Sequence, residues 1–182
     1  MQPLLKLSAL RSTLCLLACA SAYPVAAQSA AGLAQYTSGQ VTVSKGDAAG
    51  VPLLKGASIE SGDTITTGEQ GRAQVRFSDG GFIALHANSK FSVNGYVDAK
   101  DAGKDKFLVT LLSGGMRAIT GLIGKRNPSN YKVITNTATI GIRGSGFNVA
   151  YNANGTLSVS TELDAIDVCN KGGCVGLNVG ES

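Results

Sequence analysis

The amino-acid sequence predicts an all-β protein whose short twisted strands stack as a compact sandwich or a short β-solenoid. Short runs that alternate polar and apolar residues recur about every ten residues and are separated by turn-forming residues. Glycine contributes 24 of the 182 residues, nearly twice the usual share of about 7%, which fits many tight turns. No window of useful length shows the period of an amphipathic helix.

The first 27 residues have the features of a secretory signal peptide. Lys6 and Arg11 give a basic start, an apolar stretch follows at 14–20, and small residues precede an expected cleavage site after Ala27. The apolar stretch is too short to span a bilayer of about 30 Å. Lipoprotein anchoring at Cys19 is a minor alternative, and the expected location is periplasmic or secreted.

Residues 28–38 are expected to be a flexible leader, because small and polar residues dominate their first part. The β domain is expected over 39–182. Its strands follow from period-two alternation between turn signals such as Asp79-Gly80-Gly81. The expected strands are 39–44, 73–77, 82–85, 90–94, 107–112, 116–119, 131–135, 157–161, 165–169 and 175–179. The mixed charges of 98–106 predict a solvated hairpin tip.

The charge balance excludes some classes of partner. The formal net charge is +4, and two of the basic residues leave with the signal peptide. So small a charge gives no support for a nucleic-acid partner or an anionic membrane surface. No later segment reaches about 18 consecutive apolar residues, so no transmembrane helix is expected.

Two of the four cysteines lie in the signal peptide, and Cys169 and Cys174 remain. In an oxidising compartment such a pair predicts a disulfide that clips a hairpin, with two free thiols as the alternative. A metal site needs more ligands, and the only histidine, His86, is remote in sequence. No metal or other cofactor is therefore expected.

The segment 137–149 joins two β-type runs through three glycines and one arginine. It predicts a sharp bend or bulge, because glycine adopts backbone conformations that other residues avoid. Arg143 is expected to be pinned in the bend by turn carbonyls or by a carboxylate such as Asp79 or Glu162. Since a buried arginine must be paired, Arg143→Ala is expected to lower the melting temperature by several degrees. The alternative role for Arg143 is to bind an anionic ligand.

Several phrases together resemble the FecR-like periplasmic domain family. They are Gly39-Gln40-Val41-Thr42-Val43, Leu54-Lys55-Gly56-Ala57-Ser58-Ile59, Gly62-Asp63-Thr64-Ile65-Thr66-Thr67-Gly68, Ala73-Gln74-Val75-Arg76-Phe77-Ser78-Asp79-Gly80 and Leu111-Leu112-Ser113-Gly114-Gly115-Met116-Arg117-Ala118. The bend resembles the family's signature of glycine, an apolar residue, Arg-Gly-Thr, any residue and phenylalanine. Its counterparts are Gly141, Arg143, Gly144, Ser145 in place of threonine, and Phe147.

The resemblance covers about residues 39–180 and implies a stand-alone secreted version of a sensing or scaffolding domain. The family is named for a regulator of ferric citrate uptake that joins a cytoplasmic anti-sigma segment, one membrane span and this periplasmic module. A predicted signal peptide stands here in place of the first two parts. The resemblance also implies an all-β fold of stacked, twisted strands.

The residues give little support for catalysis. A serine hydrolase needs a base, and only His86, expected on an exposed turn, could supply one. The segment Gly144-Ser145-Gly146 lacks the glycine spacing of a nucleophile elbow. A basic surface could combine Arg117, Lys125, Arg126 and Lys132, although ordinary solubilising charges are the alternative. Arg117 and Arg143 are the weak candidates for ligand binding.

We therefore expect a non-catalytic binding, sensing or interaction module of the bacterial cell envelope. The alternative is the periplasmic component of a sigma-factor-regulating system whose membrane partner is encoded separately. A hydrolase is the third hypothesis. The expected partner is an envelope protein, a polysaccharide or a small anionic ligand.

Overall fold

The computed structural model describes residues 30–144 and 146–182, and they fold into two stacked β-sheets. The strands are β1 (Gly32–Ser38), β2 (Val41–Lys45), β3 (Val51–Pro52), β4 (Ser58–Ile59), β5 (Asp63–Thr67), β6 (Arg72–Phe77), β7 (Phe82–Leu85), β8 (Lys90–Val97), β9 (Lys106–Ser113), β10 (Gly115–Ile119), β11 (Tyr131–Ile134), β12 (Thr139–Ile142), β13 (Gly146–Tyr151), β14 (Leu157–Leu163), β15 (Ile166–Asn170) and β16 (Gly173–Leu177). One short helix, α1 (Leu122–Arg126), and a 3₁₀ turn (Pro128–Asn130) separate β10 from β11. The all-β prediction and its sandwich form are confirmed.

Sheet A has seven strands in the order β14-β13-β10-β7-β6-β1-β4. Sheet B has nine strands in the order β16-β15-β12-β11-β9-β8-β5-β2-β3. Neighbouring strands are antiparallel except for β9 and β11, which are parallel and are joined through β10 and α1. No described helix is long and apolar enough to cross a membrane.

The core lies between the sheets and is filled by the inward-facing residue of each alternating pair. Strand β6 shows this pattern, because Ala73, Val75 and Phe77 are buried while Arg72 and Arg76 are exposed. A row of aromatic rings runs through the core: Phe77, Tyr96, Phe107, Tyr131 and Phe147. The tightest contact in this row is the parallel stack of Phe107 on Tyr131, with centroids 4.2 Å apart. Such ring contacts stabilise a core beyond the apolar area that they bury.

The prediction of a flexible leader over 28–38 is wrong for most of that range. Residues Gly32–Ser38 form β1, which pairs with β6 and β4 inside sheet A. Ala34 is fully buried there, and a bulge between Ala34 and Tyr36 interrupts the alternation that would have marked a strand. Residues 28 and 29, like the signal peptide expected over 1–27, lie outside the described residues.

The glycine-rich bend carries the chain from sheet B to sheet A, because β12 belongs to one sheet and β13 to the other. The return from β14 to β15 passes beside it, and the Arg143 amide donates a hydrogen bond of 2.8 Å to the carbonyl of Ala165 on that return. A Cβ at Gly144 would lie 1.7 Å from the Cβ of Asp164. The close approach of these two chain segments, and not a left-handed backbone, therefore requires a glycine at position 144; neither Gly141 nor Gly144 has a positive φ.

The predicted disulfide is confirmed. Strands β15 and β16 form a hairpin in which Cys169 and Cys174 are directly opposed and bonded. The hairpin is the outer edge of sheet B. The bond closes a loop of only a few residues, so it contributes at the low end of the usual range for disulfides.

Candidate functional site

Arg143 is neither buried nor paired with the carboxylates that the sequence suggested. Its side chain is 64% exposed and forms a two-pronged ion pair with Asp167 of β15, with Nη2 2.7 Å from Oδ1 and Nε 2.8 Å from Oδ2. These hydrogen bonds raise the pKa of the Arg143 guanidinium above its ordinary value. The pairing with Asp79 or Glu162 was wrong because β12 and β15 are neighbours in sheet B, a pairing that sequence distance conceals.

The other signature residues build the fold around the bend. Phe147 is fully buried and meets the Tyr131 ring edge-on at 6.5 Å. The carbonyl of Gly144 accepts a hydrogen bond from the Thr120 hydroxyl at 3.1 Å. Ser145 lies outside the described residues. The described signature residues therefore hold β12 and β13 in place, and Arg143 is the most exposed of them.

An open groove of about 620 Å³ lies on the outer face of sheet B, across β9, β11 and the start of β12. Its floor contains Leu108 and Ile134, which are half-buried on the parallel strands β9 and β11. Lys106 and Lys132 line it, and neither forms an ion pair with a carboxylate in the described part of the chain. Lys104 lies at the rim, 3.4 Å from Asp101. The groove therefore combines an apolar floor with positive charge, a combination suited to an anion with a flat apolar part.

One wall of the groove is fixed by an ion-pair network that the sequence did not suggest. Arg126 of α1 lies 2.6 Å from Asp105 and 2.5 Å from Asp98, so it ties both ends of the β8–β9 loop to the helix. The Asp105 side chain is 0% exposed, and its hydrogen bond with Arg126 lowers the pKa of that carboxyl. The segment 98–106 is therefore anchored at both ends, and the expectation of a merely solvated tip is wrong for these two carboxylates.

Asp79 is a second organising residue and is almost fully buried. Its carboxylate accepts hydrogen bonds from the amides of Gly81 at 2.9 Å and Ile123 at 3.1 Å. Its own amide donates to the Tyr96 hydroxyl at 2.8 Å. Asp79 thus joins the β6–β7 turn to the start of α1, where a Cβ at Gly121 would lie 2.3 Å from its Oδ2. The turn signal Asp79-Gly80-Gly81 located this residue but did not reveal its partners.

Arg117, the second predicted ligand-binding candidate, lies on the outer face of sheet A. Its Nε and Nη2 donate to Glu162 Oε2 at 3.0 and 2.8 Å, and Asn148 donates to the other carboxylate oxygen at 2.8 Å. The hydrogen bond from Arg117, followed by that from Asn148, lowers the pKa of Glu162. Arg117 and Arg143 therefore belong to different sheets and do not form one site. The basic surface expected from Arg117, Lys125, Arg126 and Lys132 is likewise divided, because Arg126 is held in its ion pairs.

His86 is exposed at the corner after β7, where its backbone amide donates to the carbonyl of Gly115. Among the described residues, no group of three or more His, Cys, Asp or Glu side chains is placed to hold a metal ion.

Fold and surface together describe a two-sheet β module with an open groove on one outer face. A family model described as FecR protein matches residues 63–162, from the start of β5 into β14. Because this match covers more than half of the chain, the protein belongs to the FecR family.

Two solved structures show a similar fold. Both are crystal structures of "a putative anti-sigma factor from Parabacteroides distasonis ATCC 8503", at 2.50 and 1.65 Å resolution, with TM-scores of 0.51 and 0.50 and 20% sequence identity. Each match covers 64% of this chain and 51% of the solved chain, so this chain corresponds to about half of those structures. No curated protein matches the sequence.

Proposed function

We propose that this protein is a non-catalytic binding module in a signal-transduction system of the cell envelope. The observation that carries the proposal is the FecR match, which spans ten of the strands from β5 to β14. Two further features support it. The two similar solved structures are each described as "a putative anti-sigma factor", and a disulfide such as Cys169–Cys174 is typical of oxidising compartments.

The module is expected to act by docking, because its two sheets share one packed core and protein interiors deform little. A signal would be transmitted when a partner protein binds to one of the sheet faces. In the narrower form of the proposal, that partner belongs to a sigma-factor-regulating system and is a separately encoded membrane protein. The two forms differ in their output, which can be measured.

Transcript profiling of a deletion strain tests the proposal. We expect deletion to change a defined set of transcripts, and complementation with the full chain to restore them. Dependence of that set on one alternative sigma factor would support the narrower form. An unchanged transcript profile under envelope stress, with the wild-type protein present in the parent strain, would overturn the signalling role.

The envelope location is tested by sequencing the N-terminus of the protein purified from its host. Cleavage after Ala27 predicts a mature chain that starts at Gln28. A chain that starts at a lipid-modified Cys19 would instead establish the lipoprotein alternative, and Cys19→Ala would then abolish anchoring. An uncleaved chain in the cytoplasmic fraction would contradict the envelope location.

The groove on sheet B favours a second role, the binding of a small anionic ligand. Citrate is a suitable probe, because its carboxylates can meet the ammonium groups of Lys106 and Lys132 over the apolar floor. In an NMR titration at constant ionic strength, the amides of β9 and β11 should shift, and Lys132→Glu should abolish the shift. Lys90→Glu, the same charge change on β8, is the control and should leave it intact. Shifts that are equal with sulfate and spread over the whole surface would exclude a specific site.

A further inference from the structure

The charged residues of the strands are divided between the sheets by type. The strands of sheet A carry Arg72, Arg76, Arg117 and Glu162, and no lysine. The strands of sheet B carry lysine and aspartate, and no arginine. Arginine is enriched and lysine depleted in the centres of protein interfaces. The composition therefore distinguishes the outer face of sheet A, which we call the arginine face.

An apolar row crosses six of the seven strands of the arginine face, from β1 to the edge strand β14. Strand pairing places Leu33 beside Arg76, Arg76 beside Phe82, Phe82 beside Ile119, Ile119 beside Gly146, and Gly146 beside Leu163. Leu33 is 49% and Leu163 48% exposed, and the other two apolar members are half-buried. Leu163 covers Gly146, since a Cβ there would meet its side chain at 3.1 Å. The row offers apolar contact across five strand-to-strand steps.

Two of the three strand arginines of this face, Arg72 and Arg76, form hydrogen bonds but are not neutralised by a carboxylate among the described residues. Arg76 lies over the Phe82 ring at 6.0 Å and donates to the carbonyl of Gly80 at 3.1 Å. Arg72 donates to the carbonyl of Gly71 at 2.9 Å. In the described part of the chain neither forms an ion pair with a carboxylate, whereas Arg117 is paired with Glu162. The strand residues of the face therefore leave two positive charges beside the apolar row.

We propose that the arginine face docks a protein partner whose surface carries carboxylates around an apolar centre. This proposal rests on the proposed function and names the surface through which it is carried out. Charge complementarity selects the partner, because like charges brought together cost free energy. Two copies of this face would bring the uncompensated arginines of one copy against those of the other. A second copy of this chain is therefore disfavoured as the occupant.

The size of the face indicates a transient complex. Six strands about 4.8 Å apart, each about five residues long, give a flat area of about 400 Å². A standard interface buries about 800 Å² on each partner, and smaller ones are typical of transient signalling encounters. Affinity is therefore expected to be modest, and the complex should be captured covalently.

Site-specific photo-crosslinking in the native host tests the proposal. A photoreactive residue is placed at Leu33 or Leu163 of the full chain, and at Leu112, an exposed leucine on the outer face of sheet B, as the control. We expect a crosslinked partner from the two sheet A positions and none from Leu112. Mass spectrometry should place the crosslink in a partner peptide that contains Asp or Glu beside apolar residues. A crosslink from Leu112 alone, a basic contact peptide, a contact with a second copy of this chain, or no crosslink at all would overturn the proposal.

Charge reversal supplies the second measurement. Arg72→Glu with Arg76→Glu should reduce the crosslink by about tenfold, because paired charges at an interface control association. Lys90→Glu with Lys171→Glu makes the same change in charge away from this face and should leave the crosslink unchanged. Both double variants are checked for an unaltered melting temperature. If deletion of the gene changes the transcripts but the arginine variant does not, the docking surface is wrong and the proposed function stands; if deletion has no effect, the function itself fails.

Discussion

The hydroxyl of Tyr131 is the one buried side-chain oxygen without a hydrogen-bond partner among the described residues. Tyr131 is 1% exposed, and its ring stacks on Phe107 with centroids 4.2 Å apart. Burial, with a smaller effect from the Asp79 carboxylate, raises the pKa of this phenol far above its ordinary value. The hydroxyl is therefore a buried, neutral polar group to which no described side chain or backbone group is hydrogen-bonded.

We expect Tyr131→Phe to stabilise the protein. A buried polar group without a partner costs about 1–3 kcal/mol, and phenylalanine keeps the stacked ring. The missing oxygen leaves a void of about 12 Å³, which at about 24 cal/mol per Å³ costs only about 0.3 kcal/mol. A net gain of about 1 kcal/mol corresponds to a rise of about 2–4 °C in melting temperature for a domain of this size.

Tyr96→Phe is the matched control, because its hydroxyl does have partners. It lies 2.8 Å from the Ser78 hydroxyl and accepts from the Asp79 amide at 2.8 Å. Its removal leaves that buried amide unpaired, so we expect a loss of about 1–3 kcal/mol. Urea unfolding of the two variants should thus give shifts of opposite sign. A loss of stability of 1 kcal/mol or more in Tyr131→Phe, on the same order as the control, would refute the reasoning and reveal a bridging water in the core.

Three further predictions concern the bend, its arginine and alkaline pH. Gly144→Ala should destabilise the protein strongly, because a Cβ there would collide with Asp164 in the connection between β14 and β15. Gly141→Ala is the control: the nearest atom to its Cβ would be 4.0 Å away, so urea unfolding should show almost no change in stability. Arg143→Ala should leave the melting temperature nearly unchanged, because its pair with Asp167 is largely exposed; a fall of several degrees would restore the buried role. Burial raises the pKa of Tyr96 to about 12. The neutral, buried phenol therefore makes its full contribution to the free energy of unfolding below about pH 10, the ordinary tyrosine pKa. That contribution is lost as the pH rises through the folded pKa. Tyr96→Phe should therefore flatten the decline measured between about pH 10 and 12 relative to the wild type.

Strand positions were predictable where alternation is regular and turns are marked. In β6 the exposed arginines and buried Ala73, Val75 and Phe77 follow strict period two, and the Asp79-Gly80-Gly81 turn ends the strand. Strand β1 was missed because its bulge and its small residues remove that period. A strand of this kind is recognised only through its partners β6 and β4, which the local sequence does not reveal.

The surface features were less accessible to sequence reasoning than the fold. Arg143 was identified as part of the signature, yet its partner and exposure depend on β12 lying beside β15. Asp105 looked like one charge among many in 98–106, and its burial depends on Arg126 arriving from α1. Both cases turn on contacts between residues more than 20 positions apart. Alternation determines which face a side chain occupies but not which side chain it meets.

The signature residues lie at the link between the two sheets, whereas the candidate binding surfaces lie on the outer faces of the sheets. This separation indicates a structural role for the signature. Residues 143–145 are the direct link between β12, beside the groove on sheet B, and β13, within the arginine face of sheet A. Gly144 allows the β12–β13 link to lie against the β14–β15 connection, and the buried Phe147 side chain packs β13 into the core. We expect a substitution at Gly144, but not one at the exposed Arg143, to displace both surfaces at once. In this chain the signature therefore fixes the positions of β12 and β13, and with them the geometry of the two faces.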